Sequence, residues 1–139
     1  MTLEIGLTQD LETCLAIRRV VFIEEQGVSL ADEVDGRDGE AEHLLAVLDG
    51  QPVGTARMLA KGETGKIGRV AVLAGARGKG IGAALIRAAV DRLRARGLRV
   101  ARLGAQTHAL GFYEALGFRA EGPVYDDAGI PHRDMTLPL

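Results

Sequence analysis

Tryptophan is absent from this 139-residue chain, cysteine occurs once, proline four times, and aromatics make up only 4%. Each scarcity excludes something. A lone Cys14 cannot form an internal disulfide, which fits a reducing compartment and makes the cytoplasm the expected location. It falls in a helix-like run, so a packed, inert thiol is expected rather than a nucleophile. No apolar run approaches the roughly 20 residues that span a bilayer, so no membrane role is expected. A basic stretch followed by an apolar core is missing from the first residues, so no signal peptide is read. Three histidines without metal spacing offer no zinc site. A calcium loop also fails: taking Gly36 as its sixth position puts Ala31 where an aspartate is needed, and taking Gly39 puts Val34 there. No metal is expected.

What remains is ordinary for a globular protein: 47% hydrophobic and 26% charged residues, enough chain for one domain over residues 1–139. The formal net charge of −2 hides an asymmetry. Between Arg77 and Arg102 stand eight basic residues and one acid, Asp91; between Glu24 and Glu42 stand eight acids and one base, Arg37. The overall balance argues against a nucleic-acid partner. The local one suits an anionic cofactor at one end and a cationic substrate at the other. Solvated surface is the expected state of Arg92, Arg94 and Arg96.

Hydrophobic periodicity predicts a strand at Leu3 to Thr8, then a helix from Asp10 to Glu25 with Thr8 or Asp10 as its cap. Gln26 to Gly39 reads as a loop or broken helix. A hairpin of His43–Leu48 and Pro52–Leu59 turns at Asp49-Gly50. A turn over Lys61 to Gly65 leads to a third strand, Lys66 to Leu73. A long helix follows to Arg96 and stops at Gly97, with Gly82, Leu85, Ile86, Ala89 and Leu93 on its apolar face. A strand at Arg99 to Ala105, a helix from about His108 to Leu116, and two short strands near Phe118–Tyr125 and His132–Leu137 complete the chain.

The most informative stretch joins the Lys66–Leu73 strand to the long helix: Arg77-Gly78-Lys79-Gly80-Ile81-Gly82, followed by Ala83. Its glycines let backbone N–H groups converge, and the helix start adds orphan donors and the positive end of its dipole. Arg77 and Lys79 add charge, so the pattern is a pocket for a phosphate or pyrophosphate. No Gly-Lys-Ser/Thr follows at Walker A spacing. Gly78, Gly80 and Ala83 satisfy the dinucleotide fingerprint, but that reading needs a ribose-binding acid on the next strand, and Arg99–Ala105 carries none.

Arg77, Gly80 and Gly82 also match R/Q-x-x-G-x-G/A, which resembles the acyl-CoA loop of the GCN5-related N-acetyltransferase (GNAT) superfamily. Val70-Ala71-Val72 before the loop and Ala105 to Phe118 after it (AQTHALGFYEALGF) strengthen the likeness. Val21 to Gln26, Asp32 to Asp38 and Gly129-Ile130-Pro131-His132 make the chain similar to the ElaA-type branch. The resemblance implies an α/β fold: a mixed, mostly antiparallel sheet with helices on both faces and a splayed central strand pair. It implies acetyl-CoA as acyl donor, with pantetheine bonded to the backbone of Val70, Ala71 and Val72 and the diphosphate on Arg77 to Ala83. Gln106 stands where many relatives carry asparagine, and can still hydrogen-bond pantetheine. Tyr113 stands where the family carries the acid that protonates the departing thiolate. Relatives often place a base on the strand equivalent to Lys66–Leu73, and this one has no carboxylate there. Glu33, Asp35, His43, His108 and His132 are the groups available, with Glu33, Asp35 and His132 expected near the acceptor. The acceptor expected is a primary amine, cationic, on a small molecule or peptide. Family members often pair as homodimers, and that expectation carries over. Two other readings stand beside this one: a non-catalytic acyl-CoA sensor, and an enzyme like the acyl-homoserine-lactone synthases, which Arg18 to Phe22 and Glu33 to Asp35 resemble.

Overall fold

Residues 2–139 are described by the structure, a computed structural model. Strand β1 (Leu3–Thr8) leads into α1 (Leu11–Arg18), whose first turn is capped by the Asp10 carboxylate accepting from Thr13 N at 3.2 Å. The helix expected to Glu25 does reach that far, but its last part, Arg19–Glu25, is wound as a wider π-helix. The expected broken stretch holds one short helix, α2 (Leu30–Glu33), capped by Ser29, and a 3₁₀ turn at Asp38–Glu40. Then come β2 (Glu42–Leu48), β3 (Gln51–Lys61), β4 (Thr64–Val72), α3 (Ile81–Ala95), β5 (Val100–Gln106), α4 (Leu110–Ala115), β6 (Arg119–Asp127) and β7 (Ile130–Pro138).

Seven strands form one sheet in the order β1-β2-β3-β4-β5-β7-β6, and the only parallel neighbours among the described residues are β4 and β5. The Asp49-Gly50 turn forms as expected, with both residues at positive φ, 49° and 81°. The next turn is tighter than the sequence suggests. Pairing of β3 and β4 runs out to Lys61↔Thr64, leaving Gly62 and Glu63 as the whole connection. The last two strands are likewise longer than expected. They pair out to Asp127↔Ile130, so the linker expected from Asp126 to Pro131 shrinks to Ala128 and Gly129.

Helices cover both faces of the β1–β4 half. On one side α3 buries Ile81, Leu85, Ile86, Ala89, Val90 and Leu93 against Leu44, Ala46, Met58 and Ile67. On the other, Ile17 and Val21 pack on Ala71, Leu45 and Leu73. Leu44 and Leu45 thus go to opposite faces, as strand alternation requires. Strand β4 breaks that rule. Ile67 and Ala71 are four residues apart, yet Ile67 faces α3 and Ala71 faces α1. The register explains it: Arg57 pairs with Gly68 and Thr55 with Ala71, so Arg69 and Val70 together oppose the single residue Ala56. That is a β-bulge, and the extra residue inverts the alternation beyond it. Arg69 carries the distortion at φ 50°, a conformation that costs a non-glycine residue about 1–3 kcal/mol.

Candidate active site

The site is built along one strand. β4 and β5 pair only through Thr64↔Val100, Gly65↔Ala101 and Lys66↔Arg102. Beyond that point β4 continues six residues to Val72 and β5 four residues to Gln106, without facing partners. A cleft therefore opens between two strand edges whose backbone polar groups lack a ladder. Leu73 N bonds Val53 O on β3 at 2.8 Å. By alternation, Val72 and Val70 direct their N–H groups the other way, into the cleft, while the amide of Ala71 points to β3.

The glycine loop lies at the wide end of this cleft. Gly78 and Gly80 sit at φ 79° and 76°, which a side chain would strain, and no atom lies within 4 Å of where a Cβ would be built on either. Gly80 caps α3 without any side-chain bond, and Ala84 N is the first amide to bond back, to Gly80 O at 3.0 Å. The N–H groups of Ile81, Gly82 and Ala83 are left as the helix's orphan donors. No acid stands in that first turn to balance the dipole. A cavity of about 330 Å³ is lined there by Val72, Arg77, Gly78, Gly80, Ile81, Gly82, Ala83 and Phe112. Lys79 is exposed beside it. Arg77 is more committed than its motif suggests: Nε donates to Val72 O at 2.9 Å and Nη2 to Glu25 Oε1 at 2.6 Å. It braces the strand end to the π-helix.

At the narrow end lies a second cavity, about 490 Å³, walled by β4 (Lys66 to Val70), the acidic loop, Phe22 and Gln26, the end of β5, Tyr113, and the β6–β7 hairpin. Tyr113 is held by edge-on contacts with Phe112 and Phe118, at 4.9 and 6.2 Å between ring centroids. Its hydroxyl makes no hydrogen bond among the described residues, and burial raises its pKa, so it stays protonated. His132 Nδ1 lies 2.7 Å from Ile130 O. A carbonyl only accepts, so Nδ1 carries the hydrogen, and in the neutral ring Nε2 is left as a bare acceptor. The ring stacks against Tyr125 at 6.0 Å. Gln106 bridges the cleft mouth, donating to Gln26 Oε1 at 3.0 Å and lying 2.6 Å from His108 Nε2. His43 is buried on Asp38 O and does not line either cavity.

Glu33 and Asp35 do reach the acceptor-side cavity, but their charges are engaged. Arg18, buried at 1% exposure, bonds Glu33 Oε1 through Nε at 2.5 Å and Asp38 through Nη1 at 2.7 Å. Arg57 grips Asp35 with two parallel bonds, 2.9 and 2.8 Å, which hold its carboxyl well below the usual carboxylate range. Arg69, from the bulge, donates to the carbonyls of Glu33 and Asp32 at 3.0 and 3.2 Å. Three carboxylates and three guanidiniums thus form one network. The Asp35 carboxylate, so held, is a poor proton acceptor.

Arg57, Arg69, Lys66, Gln26 and Tyr125 were not singled out by the sequence reasoning. One signal existed: Gly68 inside a strand marks a bulge. Gly104 marks another close approach, since a Cβ there would lie 2.5 Å from the Tyr125 hydroxyl. That hydroxyl donates to Asp134 at 2.7 Å, and burial followed by this bond lifts the tyrosine to about 12.

Comparison with known proteins fits this geometry. Residues 20–139 match the family described as acetyltransferase (GNAT) domain. A Bacillus subtilis protein provisionally named an acetyltransferase is 41% identical over 131 residues, 92% of this chain and 89% of its own. Escherichia coli ElaA is 33% identical over 139 residues, 96% of this chain and 90% of its own. Its crystal structure superposes with a TM-score of 0.86 over 97% of this chain and 99% of that one. A GNAT family acetyltransferase of Elizabethkingia anophelis, solved with acetyl-CoA bound, shares the fold at a TM-score of 0.76 and 18% identity, over 99% and 98% of the two chains. The chain belongs to the GNAT acetyltransferase family, in its ElaA-type branch, and is an acyltransferase enzyme.

Proposed function

We propose that residues 1–139 act as a single N-acetyltransferase domain that moves an acetyl group from acetyl-CoA to a primary amine of a small molecule or peptide. The observation that carries this reading is the parting of β4 from β5 beyond Lys66↔Arg102, with an open amide cradle at one end and a polar cavity at the other. The amides of Gly78 to Ala83 and the charge of Lys79 would take the diphosphate. Arg77 would steady the loop and offer its remaining Nη1. Pantetheine would lie along the cleft, bonding Val70 and Val72, with Gln106 beside it. The acetyl group then arrives between Tyr113 and His132.

The amine arrives as an ammonium and must lose a proton before its nitrogen lone pair can attack. His132 Nε2 is the acceptor we assign, directly or through one water. Attack forms the N–C bond and puts charge on the thioester oxygen, which the Val72 N–H is aimed to bind. Collapse breaks the C–S bond as the Tyr113 hydroxyl protonates the thiolate; the nitrogen then gives up its second proton, which through solvent restores the Tyr113 hydroxyl, and His132 releases the first to bulk water. Glu33 and Asp35 shape the wall rather than move protons. This assignment fills the gap left by the missing carboxylate on β4. Buried Cys14 has a thiol whose pKa burial raises, in keeping with an inert side chain and a cytoplasmic enzyme. Assembly into homodimers is carried over from the family as part of the same proposal.

Calorimetry with acetyl-CoA tests the cofactor half. Ala83→Glu should suit the helix, because an acid near its N-terminus offsets the dipole, while repelling the diphosphate. Affinity should fall about a hundredfold or more; unchanged binding would refute the cradle. Free thiol released from acetyl-CoA in the presence of primary amines separates a transferase from an acyl-CoA sensor.

A further inference from the structure

Among the three arginines of the network, Arg69 has the longest carboxylate contacts. Its closest bonds run to backbone carbonyls; Nη2 also donates to Asp35 Oδ2 at 3.4 Å, and Glu33 Oε1 stands 3.7 Å from Nε. Both carboxylates have closer partners: Arg57 at 2.8 Å for Asp35 and Arg18 at 2.5 Å for Glu33. Nη1 of Arg69 makes no hydrogen bond among the described residues, and the side chain is 23% exposed toward the cavity. Burial, and then the neighbouring Arg57, lower its pKa. Lys66 lines the same cavity three residues earlier on β4, exposed and without an ion pair among the described residues. The bulge commits a positive φ to keep Arg69 there.

We propose that the acceptor is an amine that also carries a carboxylate, an amino-acid-like zwitterion whose anionic end is read by Arg69 and Lys66. The proposal rests on the transferase reading above. It reverses the simplest inference from the acidic loop, that a plain cation docks there, because Arg18 and Arg57 already hold Glu33, Asp35 and Asp38 at close range. The cavity keeps two exposed acids without ion pairs among the described residues, Asp32 and Asp127. Asp127 acts on Tyr125, which stacks on His132, so the amine end is drawn to the proposed base. The same two acids disfavour a dianionic phosphate, which leaves the singly charged carboxylate as the better match. A carboxylate oxygen can also accept from Nη1 of Arg69, the guanidinium nitrogen without a hydrogen bond among the described residues.

The test compares α-amino acids with their own carboxamides, and with O-phosphoethanolamine, as acetyl acceptors. Free acids should show kcat/KM at least about tenfold above their amides, the size expected of one charge-assisted pair. In Lys66→Met and in Arg69→Lys that ratio should fall toward one; acetyl-CoA affinity measured alongside certifies that each variant is folded. Two variants are needed because Arg69 occupies a strained backbone position. In parallel, calorimetry on the CoA-loaded protein compares N-acetyl-L-alanine with N-acetyl-L-alaninamide, which needs no turnover. Turnover with amides as good as acids, or a preference for the phosphate, overturns the inference and spares the transferase. Selective binding of the acetylated acid without turnover of any amine upholds carboxylate recognition by this cavity but defeats the transferase, and with it the claim that the ligand is an acetyl acceptor. Equal or absent binding of both acetylated probes, with no turnover, overturns both.

Discussion

The two ends of the β4 cleft are made of different materials. At the wide end the functional groups are backbone amides, presented by two glycines at positive φ and by the first turn of α3. At the narrow end they are side chains, and four that line it, Glu33, Asp35, Arg57 and Arg69, are locked with Arg18 and Asp38 in one ion-pair network. Backbone donors do not depend on side-chain identity, so such a cradle suits a ligand that never changes. A side-chain wall is specific to its occupant. On the proposed function, the amide cradle suits the constant acyl-CoA and the side-chain wall the variable acceptor.

Breaking the network should give the largest effect. Arg57→Met removes the close partner of Asp35 and one partner of Asp38, and should cost about 3–5 kcal/mol in urea unfolding, because it strands charge in a partly buried site. A loss within that of a surface substitution, roughly 0.5 kcal/mol, would mean the network is ornament. At the junction of the two ends, Tyr113→Phe should lower kcat about a hundredfold with acetyl-CoA affinity intact. His132→Gln should lower kcat/KM about a hundredfold with acetyl-CoA affinity intact; unchanged turnover removes His132 as the base.

The smallest effect sharpens the comparison by pH. The Asp35 carboxyl is depressed by Arg57, so its stabilisation is complete at neutral pH and is lost as pH falls through the folded value, below the ordinary carboxylate range of about 4. Asp35→Asn should therefore unfold at lower urea than the parent at pH 7, and the gap should close progressively in acid. A gap that is constant with pH would assign the effect to shape rather than charge.

The same contrast explains what the sequence reveals. The Arg77–Gly82 pattern reports backbone conformation directly, since glycine spacing and a helix start are local properties. Helix α3 and the Asp49-Gly50 hairpin are legible for the same reason. The acidic loop is legible as acid but not as neutral, because Arg18 and Arg69 lie 15 and 36 positions from Glu33, and Arg57 and Arg69 lie 22 and 34 from Asp35, along the chain. The length of β6 and β7 is set by their pairing with each other, and that of β7 also by β5, rather than by their own polar sequences. The bulge inverted the face of Ala71, which no alternation count over Lys66–Leu73 can show.

Amide hydrogen exchange read residue by residue, with and without acetyl-CoA, is the most direct test. Ligand should slow exchange at Val70, Val72, Ile81, Gly82 and Ala83, while Ala71, already turned toward β3, changes little. Protection confined to the ion-pair network, with those five amides unaltered, would contradict the account.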